Sequence, residues 1–212
     1  YGDDPCALFM PKTKFADNAM DEKTTRLIAQ MHKAITIIQF KLEGEIIRRR
    51  PEFEMDDRML LHHIDLKRGV VHIDGKDYTL KDTNWPTLDP KDPYRLSIEE
   101  EDLIRKILHS FESSEKMKKH MRCFFRHGGM YQVCNSNLLF HASIPMNPDG
   151  TFKSVRILGQ DYKGRALLDR VDQLIRTAYF KTGEQEEVEY AHDYIWYLWA
   201  VSYTHLEPTR LR

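Results

Sequence analysis

Between Asp21 and Arg50 no proline interrupts the chain, and Leu27, Met31, Ala34/Ile35, Ile38, Leu42 and Ile46 recur at three- and four-residue spacing. That period predicts one long amphipathic helix over 21–50. Asp21 can cap its start, lysines and arginines crowd its end, and Pro51 stops it. Ile28, Ile37, Phe40 and Ile47 widen the apolar face, which predicts burial between two layers. Any fold this chain adopts has to be organised around that rod.

The remainder alternates hairpin and helix signals. Val71, Ile73, Tyr78 and Leu80 alternate around Asp74-Gly75, a hairpin signature near 69–80. A loop dense in turn residues follows over 82–93, with Pro86, Pro90 and Pro93. Ser97 and Glu100 form a capping box for a helix faced by Leu103, Ile104, Ile107, Leu108 and Phe111. A second helix over 114–127 ends at Gly128-Gly129, where a glycine C-cap is expected. Strands are predicted at 130–134 and 138–141 around Asn135-Ser136-Asn137, and another hairpin over 151–158 and 160–162. Two helices close the pattern, at 165–180 and 186–199. The fold class is α+β, with long helices and short β-hairpins.

Charge and cysteine usage narrow the partners. Lys+Arg 32 against Asp+Glu 33 gives a formal net charge of −1, so the overall field offers nucleic acid or an anionic membrane no purchase. No apolar run reaches the roughly 18 residues a membrane span needs. Cys6, Cys123 and Cys134 are odd in number and far apart, as expected of a reducing compartment rather than a disulfide framework. Tyr1-Gly2-Asp3-Asp4-Pro5 has no features of a secretory leader and reads as the interior of a longer protein.

Two places carry candidate chemistry. His141 follows Leu138-Leu139-Phe140 and precedes Ala142-Ser143, so it stands where an apolar strand leaves its sheet. A metal-ligating imidazole and a hydrogen-bonded core histidine both fit that position. Arg48, Arg49 and Arg50 sit at the end of the long helix, where cations complement the dipole. Three adjacent guanidiniums also suit bidentate phosphate binding. The neighbours His62 and His63 are expected to point in different directions, and Cys134 to be a buried thiol.

Five runs then add up to a resemblance: 33–58 (KAITIIQFKLEGEIIRRRPEFEMDDR), 80–94 (LKDTNWPTLDPKDPY), 136–145 (SNLLFHASIP), 162–169 (YKGRALLD) and 196–199 (WYLW). Together they resemble the class 3 fructose-1,6-bisphosphatases, a bacterial family common in Firmicutes, from Tyr1 to about Trp199. The resemblance implies a metallophosphatase of the calcineurin-like superfamily, a four-layer α/β/β/α sandwich with a helical insertion. It implies a cytoplasmic enzyme of gluconeogenesis that binds a sugar bisphosphate. Two divalent metals, usually Mn²⁺, would activate the water that attacks the 1-phosphate.

The family's Gly-Asp-x-His, Gly-Asp-x-x-Asp-Arg, Gly-Asn-His and Gly-His-x-Pro motifs do not occur here. Of the ligand positions only His141 carries over, with Ala142 where the family places glycine. The resemblance thus implies an internal fragment, inactive by itself, with an exposed apolar patch. Residues 1–127 are expected to be mainly the helical insertion, and 128–199 part of the metallophosphatase core. Residues 200–212 read as a non-native tail. The competing reading is a non-catalytic helical interaction domain, supported by the missing motifs and the long helix. Either reading is compatible with an oligomer.

Overall fold

The computed structural model describes residues 7–10, 21–140 and 143–202. The chain divides into two compact units, Tyr1–Ser110 and Phe111–Arg212, each described here by itself. The division falls within the first of two consecutive helices.

In the first unit, α1 spans Glu22–Arg49, capped by Asp21, whose side chain accepts from the Thr24 N–H at 2.9 Å. Arg50 ends the helix, and Pro51 opens a 3-10 turn, Pro51–Phe53. Two further 3-10 turns follow, Asp56–Arg58 and Leu61–His63. Strands β1 (Ile64–Asp65), β2 (Val70–Ile73) and β3 (Lys76–Thr79) form a three-stranded antiparallel sheet. Asp74 and Gly75 both have positive φ, as the type I′ turn between β2 and β3 requires. Helix α2 spans Ile98–Ser113.

The buried face of α1 is rotated from the one the apolar spacing predicts. Gln30, Ala34, Ile37, Ile38, Lys41, Gly44 and Ile47 are buried, whereas Met31 and Ile35 are exposed. Among the described residues one face of the helix is covered, not two. The reason lies in two residues that hydrophobicity cannot register. Lys41 is wholly buried and donates to Glu100 Oε2 and to the Thr87 carbonyl, both at 2.7 Å. At Gly44 the Tyr94 ring lies so close that an added Cβ would collide with it. The proline-rich loop is therefore clamped across α1 at both positions.

In the second unit, α3 (Glu115–His127) is capped by Ser114. Hairpin β4 (Tyr131–Cys134)–β5 (Asn137–Phe140) turns on Asn135 and Ser136, both at positive φ. Hairpin β6 (Val155–Ile157)–β7 (Gln160–Tyr162) leads into α4 (Gly164–Phe180) and α5 (Gln185–Ser202). Helices α4 and α5 pack on each other, with Leu167, Val171, Leu174 and Ala178 buried on one and Val188, Ala191 and Tyr194 buried on the other. Burial, then its neighbours Tyr190 and Tyr197, push the Tyr194 phenol far above its ordinary range.

Two expectations change here. Gly128 does end α3, but at φ −93, in extended backbone. A glycine fits there because a Cβ would lie 2.7 Å from the Phe124 carbonyl oxygen. Arg176 completes that cap, donating to the carbonyls of Phe125 at 2.7 Å and Gly128 at 3.1 Å. The β4–β5 hairpin is not buried: Val133, Leu138, Leu139 and Phe140 are all exposed, since its sheet has two strands and no covering layer among the described residues. Helix α5 runs on to Ser202, and Ala200 is buried. Residues 203–212 lie outside the described residues.

Candidate functional site

Arg48 is committed to carboxylates. Its guanidinium pairs with Glu45 one turn earlier and with Asp92 at 3.1 Å, and lies 5.6 Å from the Tyr94 ring centroid. Arg49 is exposed and Arg50 half-buried at the helix end. In this arrangement Arg48 serves to hold the 82–95 loop on α1, which is the dipole-and-ion-pair reading of the arginine run.

His62 and His63 correct another expectation. The tight 3-10 turn brings their rings to 4.0 Å between centroids, so they face each other. His62 Nδ1 stands 3.0 Å from the Tyr94 hydroxyl, and that hydroxyl accepts the Leu61 N–H at 3.1 Å. His62 is itself exposed, and partial burial first, then the neighbouring His63, depress its pKa, whereas burial raises that of Tyr94. On the sheet beyond, His72 and Arg68 both hold Asp77, at 2.9 and 2.7 Å, and lower its carboxyl pKa in that order.

His141 and Ala142 lie outside the described residues. The strand before them flanks an open cavity of about 410 Å³, lined by His127, Gly129, Tyr131, Gln132 and Phe140 among others. Tyr131 is fixed on its other side by Asp169, which accepts its hydroxyl at 3.0 Å, and by Arg165 stacked 5.9 Å from its ring. Cys134, expected to be buried, is an exposed free thiol, as is Cys123. Cys6 lies outside the described residues.

Among the described residues no three His, Cys, Asp or Glu side chains converge to hold a metal ion. No described helix is long and apolar enough to cross a membrane. The polar cluster that the structure does assemble is Lys41, Glu100, Thr87 and Ser97. Glu100 accepts from the Lys41 ammonium, the Thr87 hydroxyl at 2.6 Å and the Ser97 N–H at 2.7 Å, while the Glu100 N–H reaches back to Ser97 Oγ at 3.3 Å. The capping box was legible in Ser97 and Glu100, but nothing near Lys41 in sequence announced its partner. This cluster is fully satisfied and structural.

Comparison with known proteins places these elements. Residues 1–208 match the family described as Firmicute fructose-1,6-bisphosphatase. Over 199 residues the chain is 65% identical to the fructose-1,6-bisphosphatase class 3 of Bacteroides fragilis, covering 94% of this chain and 30% of that relative. The class 3 protein of Bacteroides thetaiotaomicron is 64% identical and that of Clostridioides difficile 50%, each over 199 residues with the same coverage. The chain thus spans 30% of the length of these relatives. No solved structure matches it.

Proposed function

We propose that this chain, which belongs to the Firmicute fructose-1,6-bisphosphatase family, forms part of an enzyme that hydrolyses fructose 1,6-bisphosphate to fructose 6-phosphate and phosphate. The observation that carries the reading is 65% identity sustained over 199 residues to relatives bearing that name. Identity of this depth through both units, rather than in a short motif, favours a shared activity over a non-catalytic interaction domain.

The rest of the reading follows the family. The enzyme works in gluconeogenesis in the cytoplasm, its substrate is a sugar bisphosphate, and its architecture is the α/β/β/α metallophosphatase sandwich with the first unit inserted. A manganese pair belongs to this proposal, with His141 as one ligand. The described residues do not by themselves fit such a pair, because no three suitable side chains converge. One imidazole does not hold two metals, so the 212 residues alone are expected to be inactive.

A bacterium lacking fructose-bisphosphatase provides the test, because it cannot grow on carbon sources that must be converted to sugar. The matching 199 residues of the Bacteroides fragilis relative are replaced by those of this chain. Growth is expected with the chimera and its loss with His141→Ala. A chimera that accumulates in soluble form without restoring growth would overturn the proposal.

A further inference from the structure

We propose that Tyr94 and His62 form a proton-operated latch, which holds the 82–95 loop on the Leu61–His63 turn while His62 is neutral and releases it when His62 is protonated. The argument is a count of protons. Tyr94 is only 3% exposed, and its hydroxyl has one proton to donate. That oxygen already accepts the Leu61 N–H, and the one acceptor the hydroxyl meets among the described residues is His62 Nδ1, at 3.0 Å. The arrangement balances with a neutral imidazole whose proton is on Nε2.

Protonated His62 carries a proton on Nδ1 as well. Two N–H groups then aim at the Tyr94 oxygen, and the buried hydroxyl proton is left without an acceptor. The charges around the pair add to the effect. On the same turn, the His63 ring lies against His62. From α1, Arg48 lies over the Tyr94 ring, with Glu45 as its partner; from the loop, Asp92 pairs with Arg48. The two carboxylates are engaged by Arg48 and do not pair with a protonated His62 in this arrangement. Because the Tyr94 ring also sits on Gly44, release of its hydroxyl loosens the loop, the turn and α1 together.

The sign follows from the depressed His62 pKa. The latch is fully closed above the ordinary histidine value of 6.5 and opens as pH falls through the lower folded-state value. The latch is independent of the catalytic activity proposed above.

Hydrogen exchange at the Leu61 amide in the full 212-residue chain, corrected for intrinsic rates, tests this directly. Its protection should fall about tenfold between pH about 7.5 and about 5, the loss expected for one hydrogen bond. The midpoint should coincide with titration of the His62 ring followed by NMR. His62→Gln keeps an acceptor without a titrating group and should remove the pH dependence. Tyr94→Phe should leave Leu61 poorly protected throughout. Constant protection over that range in the native chain, or a midpoint separate from the His62 titration, would overturn the latch.

Discussion

Lys41 shows how a single residue can redirect a helix. Its ammonium has 0% exposure and is matched by Glu100, itself 3% exposed, so the charge is buried but paired. A buried pair of this kind adds little net stability over an apolar pair, but loss of one partner leaves the other charge buried and uncompensated. Lys41→Met should therefore destabilise the first unit by about 3–5 kcal/mol, read as a lowered urea midpoint. Replacing Glu100 as well should recover part of that loss; a Lys41→Met midpoint equal to the native one would show that the pair is unimportant. Sequence reading missed this residue because its partner is 59 positions away. It found Asp21 and Ser97 because capping partners lie within one helical turn.

At the scale of elements, existence and order were legible, while burial was not. All five helices and the three hairpins lie within a few residues of where periodicity and turn chemistry put them. Which face each element buries depends on layers that no local pattern contains. The stripe on α1 is displaced by the Lys41 and Gly44 clamp. The apolar faces of α2, at Leu103, Leu108 and Phe111, and of β4–β5 stay exposed among the described residues. The β6–β7 hairpin also departs from its own turn chemistry. Leu158 precedes Gly159 with φ +47, a left-handed position that asparagine or glycine occupies with less strain. Leu158→Asn should stabilise the second unit by about 1 kcal/mol, measured as a rise in thermal midpoint. A fall would mean that the half-exposed leucine side chain contributes more by packing than its backbone costs.

For the whole molecule, family membership rests on long runs of residues, whereas the catalytic centre rests on few. The runs over 33–58 and 80–94 form most of α1, the turns after it and the loop clamped to it, so two of the segments that carry the resemblance also carry the structural network of the first unit. Arg48, at the end of α1, joins that network through Asp92. Of a metal site the sequence offered only His141, as an expectation from the resemblance, and that residue lies outside the described residues. The account thus centres on one claim: this sequence can replace the corresponding 30% of a class 3 enzyme and leave its chemistry intact. The most direct measurement is orthophosphate release from fructose 1,6-bisphosphate by the purified, manganese-loaded chimera with the Bacteroides fragilis relative. The account predicts turnover within about tenfold of that relative, a change of about 1.4 kcal/mol in barrier, with fructose 6-phosphate as product. A folded chimera that binds manganese yet releases no phosphate would contradict it.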